Sequence, residues 1–416
     1  MDKTAKKFLE NDMSELGFIG LMADKMDSVD PRQKSKVVHS ASVIMLIALA
    51  GVLAGSQTWN EVADYGAAKK DLLRVFIPHM NEVPSHDTIR RFFMLVKPEK
   101  LEEIYRGWAF NMQKACGKAM DIDGMCRRHL AFDGKTMKDA IDHEQLLAEN
   151  PDLSAEDVEY ERMHIVSLYD TSHGISLGQE RVGVKRNELS AIRKLLTDIG
   201  LEPGDVVTID AMGTHADIAG LICEQGADYL LEVKDNQKKL KEHISMVMDT
   251  RIKYYPDGTP VVLTAETTDC SHSCTTHRKC HVLNCEELLM KQKEVWPGLS
   301  TVGFIDTAIT YKDGSGKSDR HYFITSLPIN PELIMKHKRE HWQIENGLHW
   351  QLDVNFNEDR SKKMMTSAQN YSLLTKMTLA TLKNESTKLP VNRKRKAAGW
   401  NDTLMYSLIC QFIKGF

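Results

Sequence analysis

The period of the apolar positions changes twice along this chain. From the start to about residue 120 it is helical. Thr58-Trp59-Asn60-Glu61 has the form of a capping box, and Val62, Tyr65, Leu72, Leu73 and Phe76 follow it at helical spacing. Pro84 and Ser85 mark a turn and a second helix start, and Ile89, Phe92, Phe93 and Val96 give that helix one apolar face. Two helices joined through a turn, with Arg90 and Arg91 in the second, have the outline of a helix-turn-helix, which many helical pairs share without touching DNA. The longest apolar run, Val43 to Ala54, falls well short of the ~20 residues that span a bilayer, so it reads as a buried core helix and no membrane partner is expected.

Near residue 120 the period shortens to that of strands. Arg128 to Lys138 holds a short apolar strand ending at Asp133-Gly134, and a charged loop follows from Asp139 to Arg162. MHIVSLYD and GISLGQERVG are two β-like runs around the turn Thr171-Ser172-His173-Gly174. ELSAIRKLLTDIG is an amphipathic helix closed by Gly200, and DVVTIDAMGT is a buried strand ending again in an aspartate. HADIAGLICEQG then reads as a helix and ADYLLEVK as a strand. Three strands, a helix, a strand, a helix and a strand predict an α/β fold with a ribonuclease-H-like core.

Residues from about 238 to 320 carry further β-like segments: PVVLTAETTD, HRKCHVLNC, TVGFIDTAITY and DRHYFITSL. They read as a β-rich insertion whose last strand returns to the core. From Pro331 the pattern is helical again, ending in a tail that carries the basic string Arg393-Lys394-Arg395-Lys396. The expected organisation is a helical N-terminal domain over 1–120, a catalytic core over 121–385 and a basic helical tail over 386–416.

Composition changes this picture little. A hydrophobic content of 42% and a charged content of 27% are ordinary for a globular chain. The net charge of −4 means that any nucleic-acid surface must come from local basic clusters. Met1 to Glu10 has no apolar signal region, so a cytoplasmic protein is expected. Cys270, Cys274, Cys280 and Cys285 lie close in sequence without a Cys-x2-Cys pair, which favours ordinary reduced thiols over a zinc site.

The candidate chemistry lies at the strand ends. Asp133 and Asp210 each close an apolar strand, where ligand sites of open α/β sheets collect. Carboxylates on neighbouring strands can bind the same hard cations, and Mg²⁺ needs only a few of them besides water and phosphate. Glu345, in KREHWQIENGLHWQLDVNFNED, is the third carboxylate. A pair of Mg²⁺ or Mn²⁺ ions in such a set performs in-line phosphodiester cleavage, then strand transfer by a 3′-hydroxyl. His341, Glu345 and His349 stand at i, i+4 and i+8 on one helix face, flanked by Trp342 and Trp350, which read partly as core packing. Taken singly, each aspartate is also a common turn former. His-x3-Glu-x3-His also admits a zinc site, though not the His-Glu-x-x-His of zinc proteases.

With these residues in view, the chain resembles bacterial insertion-sequence transposases of the ISAs type, the group containing the H-repeat-associated proteins of Rhs elements. The stretch from Asp30 to Gly66 and PSHDTIRRFF resemble that family's associated N-terminal domain. AFDGKT, TIDAMGTH, ADYLLEVKDNQ and HWQIENGLHWQLDVNFNED resemble its core motifs in the right order. The resemblance implies a DNA transposase with Asp133, Asp210 and Glu345 as its catalytic, metal-holding triad. The long interval between Asp210 and Glu345 then holds the β-rich insertion. Lys234, Asn236 and Gln237 match a Lys-x-Asn-Gln block, implying contacts to phosphate or base oxygens. Arg90 and Arg91 are candidates for reading element ends, and Arg393 to Lys396 for contacting phosphates. The implied partner is double-stranded DNA, and joining two ends implies a homodimer in the active complex.

The chain departs from the wider superfamily at several points. His341 stands four residues before Glu345 in place of arginine, and Leu352 seven after it in place of lysine. In the insertion His272 and Arg278 are kept, while Cys274 and Thr276 replace an arginine and a glutamate. Two other functions compete with an active transposase: a decayed or repurposed DNA-binding protein, and a metal hydrolase of small phosphate esters. The second poorly explains a basic tail, a helical N-terminal module and a long β insertion.

Overall fold

The computed structural model describes residues 13–78, 80–116, 128–140, 152, 154, 162–182, 188–254, 262–271, 274–287, 295–363 and 365–416. The N-terminal decapeptide, most of the charged loop after Asp139, and His272 lie outside the described residues.

Nine strands form one mixed sheet, in the order β3-β2-β1-β4-β5-β9-β8-β7-β6. β1 (His129–Thr136), β2 (His164–Asp170) and β3 (Ile175–Val182) make an antiparallel meander. β4 (Val206–Ile209) runs parallel to β1, and β5 (Asp228–Val233) parallel to β4. Helices α7 (Glu188–Ile199) and α8 (Ala216–Glu224) connect them. This is the ribonuclease-H-like half of the sheet, with the element order expected from the sequence. Strands flanked on both sides read as continuous apolar runs, which is why Leu130-Ala131-Phe132 and the whole of β4 are buried.

The expected β insertion is an extension of this same sheet. β9 (Gly316–Thr325) pairs antiparallel with β5, from Leu230 opposite Thr325 to Val233 opposite Tyr322. β8 (Thr301–Tyr311), β7 (Cys274–Asn284) and β6 (Leu263–Cys270) follow outward as hairpin neighbours. Its first part is not β structure: Lys238–Tyr254 is helix α9, which buries Leu240, Ile244 and Met248 at four-residue spacing.

The N-terminal helices are α1 (Met13–Ser28), α2 (Ala41–Leu53), α3 (Trp59–Ala68), α4 (Lys70–Phe76), α5 (His86–Leu95) and α6 (Pro98–Cys116). The expected capping box is present: Glu61 N–H donates to Thr58 Oγ1 at 3.2 Å, and Thr58 N–H to Glu61 Oε2 at 3.2 Å. α2 is buried on all sides, as its unbroken apolar run requires. Residues 77–85 separate α4 from α5, much longer than the three or four residues of a helix-turn-helix turn.

The C-terminal helices α12 (Met365–Asn384), α13 (Val391–Trp400) and α14 (Asp402–Ile413) pack into the same apolar core as the N-terminal ones. Trp108 Nε1 donates to Phe412 O at 2.8 Å, and the Tyr105 hydroxyl donates to Ser176 O on β3. The stretch expected to be a tail is therefore an integral part of the core.

The element that positions the site is a helical rod crossing one face of the sheet. It comprises α10 (Pro331–His341), a π-helical turn (Ile344–His349) and α11 (Trp350–Phe356). Asn330 caps its start, accepting from Leu333 N–H at 3.0 Å, with Pro331 in the first turn. Alternation along β1 turns His129, Asp133 and Lys135 toward this rod, where they meet His337, His349 and Asp353.

Candidate metal centre

Asp133 and Asp210 occupy matching places on parallel neighbours, since Phe132 pairs with Ile209 and each aspartate comes next. Their backbones differ. β1 continues past Asp133, which stays paired with Ser167 of β2. The Gly134 that follows lies close to the paired His164 and Glu188 side chains, and a Cβ there would meet His164 Nε2 at 2.6 Å and Glu188 Oε1 at 2.8 Å, so that pair would have to shift. β4 ends at Ile209, so Asp210 leads instead into a 3₁₀ turn, Ala211–Gly213.

The third carboxylate comes from the rod. At the π turn the Trp350 N–H bonds to Glu345 O, one residue further than in an α-helix, a widening often found at functional sites. His341, Glu345 and His349 all reach the strand ends. His341 bonds through Nδ1 to Thr208 Oγ1 at 2.9 Å and through Nε2 to Asp210 Oδ1 at 3.0 Å. His349 Nδ1 lies 3.2 Å from Asp133 Oδ2 and 3.7 Å from Glu345 Oε2. Donor atoms of Asp133, Glu345 and His349 all lie within 4.8 Å of one another. The two histidines are the site residues that sequence reasoning left without a role, although their spacing around Glu345 was the available signal.

The electrostatics follow from burial and these partners. Burial pushes the Asp133 carboxyl above its ordinary range, against the pull of His349. The neighbouring His349 imidazole and Asp133 carboxyl hold Glu345 down at about 2. Burial opposes protonation of His349, but the neighbouring Asp133 and Glu345 carboxyls raise it on balance. Asp210 is lowered, chiefly by the bond from His341.

This donor set fits a hard divalent cation. Asp133 Oδ2 is a buried carboxylate oxygen that makes no hydrogen bond, and its ionic neighbour is His349. Glu345 and Asp210 have side chains 54% and 51% exposed, which leaves room on the solvent side for water and phosphate ligands.

The residues expected to meet DNA divide into three groups. Arg90 and Arg91 are exposed on α5, and Arg393 and Lys396 are exposed on α13. Lys234 is exposed beside Glu232, 3.2 Å from its Oε1. The expectation fails for Lys394 and Arg395, because helical twist turns them inward. Lys394 Nζ donates to Leu382 O at 2.8 Å and Glu385 O at 2.7 Å. The Arg395 guanidinium donates to Val52 O at 2.7 Å and covers the Phe356 ring at 4.2 Å. Asn236 and Gln237 also need correction: Asn236 Nδ2 donates to Ala211 O at 2.5 Å and Gln237 Nε2 to Thr214 O at 3.0 Å. They hold the turn that follows Asp210.

One further expectation is revised. Trp342 and Trp350 are 60% and 54% exposed, so they are not core packing. The cysteines do not converge, because Cys274 and Cys280 lie six residues apart on one extended strand, roughly 20 Å at ~3.4 Å per residue. Cys280 and Cys285 are buried and Cys270 is exposed.

Comparison with known proteins agrees with this layout. The family described as "Transposase DDE domain" matches residues 124–380, and the one described as "DDE_Tnp_1-associated" matches residues 27–109. The chain is 28% identical to the "H repeat-associated putative transposase YhhI" of Escherichia coli K12, over 91% of this chain and 95% of that protein. It is 31% identical to the "Putative transposase YncI" of Escherichia coli O157:H7, over 89% of this chain and 90% of that protein. It is 39% identical to the "Inactive transposase YbfQ" of Escherichia coli K12, over 15% of this chain and 74% of that protein. No helix among the described residues is long and apolar enough to cross a membrane.

Proposed function

The chain belongs to the DDE transposase family, and we propose that it cleaves double-stranded DNA at the ends of an insertion element and joins those ends to target DNA, in the cytoplasm. Asp133, Asp210 and Glu345 would hold a pair of Mg²⁺ or Mn²⁺ ions. The observation that supports this reading is the grouping of Asp133 with Glu345 of the π turn and His349, one buried oxygen of Asp133 having no hydrogen bond, while Asp210 takes the matching place on the neighbouring parallel strand. When bound, such ions polarise the phosphodiester, acidify a bound water and stabilise the leaving oxygen.

The chain's own residues supply orientation. His341 fixes the Asp210 carboxylate from a helix that Thr208 in turn holds in place. His349 stands between Asp133 and Glu345 and offsets their mutual repulsion until cations take that part. The substitution of histidine for arginine at position 341 therefore leaves Asp210 with a partner, which favours a working centre over a decayed one. Exposed Lys234, Arg90, Arg91, Arg393 and Lys396 are the candidates for phosphate and base contacts. Acting on two ends at once calls for two active sites, hence a homodimer in the active complex.

The test is a cleavage assay with the full chain and DNA carrying the inverted repeats that bracket its reading frame. Mg²⁺- or Mn²⁺-dependent nicking at the repeat boundary, followed by joining of the 3′ ends, is the expected result. Binding without nicking in either metal would leave a DNA-binding protein that has lost mobility. Absence of both would overturn the reading.

A further inference from the structure

A second cluster of donors lies on the same strand and the same rod, away from the three carboxylates. His129 opens β1 four residues before Asp133, and His337 lies on α10 four residues before His341. Their rings stack with centroids 5.3 Å apart and planes 12° from parallel, and the residues are only 2% and 3% exposed. Glu340, nearly one turn beyond His337, completes the group: one donor atom from each residue lies within 4.8 Å of the other two.

Hydrogen bonding decides which atoms are free. The Thr171 hydroxyl donates to the His129 carbonyl at 3.2 Å, so it accepts from His129 Nδ1 at 2.8 Å. With Nδ1 carrying the proton, His129 Nε2 is a bare lone pair, buried and without a hydrogen-bond partner. His337 Nε2 is likewise buried and unpartnered, while its Nδ1 lies 3.2 Å from Glu340 Oε2. Side-chain packing alone gives no reason to bury two such nitrogens side by side, because each loses its bond to water and gains nothing in exchange.

From this arrangement we propose that His129, His337 and Glu340 bind a borderline divalent cation of the Zn²⁺ class, with His129 contributing Nε2, in a site separate from the carboxylate centre. Imidazole nitrogen and carboxylate oxygen are ordinary Zn²⁺ ligands, and tetrahedral binding would draw the donors to about 3.3 Å from one another. Three protein ligands leave a fourth position for water. Thr171 acts as the outer partner that fixes the tautomer of His129. Glu340 also lines an open groove of about 490 Å³ between α10 and β6, beside Glu266, Lys336 and Gln343, which provides a route of entry. The ion would clip the start of the strand bearing Asp133 to the helix bearing His341.

The test uses the full chain, stripped with EDTA and kept in excess Mg²⁺ to occupy the carboxylate centre. Calorimetric titration with Zn²⁺ is expected to show one tight equivalent, and Co²⁺ in its place to show the visible bands of a four-coordinate site. His129→Gln and His337→Gln should each lose that equivalent, together with the rise in Tm that Zn²⁺ produces in the wild type. Thr171→Val should keep it with affinity reduced about 10–100-fold. Glu345→Gln should keep it unchanged. If a histidine variant fails to fold, Glu340→Gln, on the groove side, carries the test and should also lose the tight equivalent. The proposal is overturned if the wild type shows no tight equivalent, if the folded ligand variants retain it, or if Glu345→Gln abolishes it.

Discussion

Asp133 and Asp210 end parallel neighbouring strands at the same level, yet they sit in opposite surroundings. Asp133 is 15% exposed, stays in the sheet ladder, faces another carboxyl, and is raised by burial. Asp210 is 51% exposed, lies beyond the end of its strand, has a histidine as its nearest partner, and is lowered by it. Two identical local signals, an apolar strand closed by an aspartate, thus yield two electrostatic states. The difference comes from where the crossing rod places its side chains: Glu345 and His349 over β1, His341 over β4. A metal centre built this way would have one enclosed ligand whose charge burial opposes and one open ligand whose charge a histidine favours.

The largest expected effect treats both aspartates alike. Asp133→Ala, Asp210→Ala and Glu345→Ala should each reduce Mg²⁺-dependent cleavage by at least about 10³-fold, the upper end for removal of one preorganised electrostatic group. The check is nicking of end-bearing DNA at saturating enzyme, with folding confirmed by circular dichroism. Substantial activity in one of the three would remove that residue from the centre and leave the comparison one-sided.

The second effect separates them. His349→Gln leaves enclosed Asp133 facing half-exposed Glu345 with no cation between them. It should cost about 1.5–3 kcal/mol in EDTA, as loss of a partner to a charged group does, and Mg²⁺ should restore much of it. His341→Gln leaves Asp210 half in water and should cost less than about 1 kcal/mol. Denaturant unfolding of both variants, with and without Mg²⁺, measures this. Equal losses insensitive to Mg²⁺ would mean that both histidines act only as packing.

The third effect is one of pH, in the metal-free protein. A carboxyl raised on folding, as Asp133 is, contributes stability that is full in acid and lost as pH rises through its folded pKa. Asp210, lowered on folding, contributes stability that is present above the ordinary carboxylate range and lost as pH falls through its folded pKa. Near neutral pH, Asp133→Asn should therefore melt at or above the wild-type temperature, and Asp210→Asn below it. The Asp210→Asn difference should shrink as pH falls below the ordinary aspartate range and vanish only below the folded pKa of Asp210, where its carboxyl is protonated in both states. Melting curves in EDTA across that range test the signs, and reversed signs would refute the contrast drawn between the two sites.

Much of this architecture was legible beforehand, for reasons that differ by element. The meander and the two parallel strands announce themselves because strands buried on both faces must be apolar throughout, and the candidate carboxyls stand where those runs stop. The return of the last insertion strand to the core was legible, and β9 pairs with β5 accordingly; that β6, β7 and β8 extend the same sheet was not, because strand pairing at a sheet edge leaves no mark in the sequence of either partner. α9 was missed because only Leu240, Ile244 and Met248 of its positions are buried, too thin a stripe beside the β-like segments that follow. The basic run was misread for a related reason. Four successive charges look like a solvated face, but a helix turns ~100° per residue, so Lys394 and Arg395 point at carbonyls of the core while Arg393 and Lys396 do not.

The smallest expected effect follows from the backbones of the two aspartates. Asp133 is held by ladder pairing with β2, which continues beyond it, and needs no further clamp. Asp210 has left its strand, and the turn after it is held by the side-chain amides of Asn236 and Gln237, on Ala211 O and Thr214 O. Removing one neutral hydrogen bond of this kind typically costs about 1 kcal/mol, which would lower cleavage by roughly 5- to 10-fold if all of it fell on the placement of Asp210. Asn236→Ala should therefore lower kcat modestly and leave affinity for end-bearing DNA and its salt dependence unchanged. If the Asn236 amide contacted phosphate or base instead, the variant would weaken binding. Measuring Kd at several salt concentrations beside single-turnover cleavage separates the two. Weaker binding with an unchanged single-turnover rate would return Asn236 to the DNA surface and leave Asp210 placed by His341 alone.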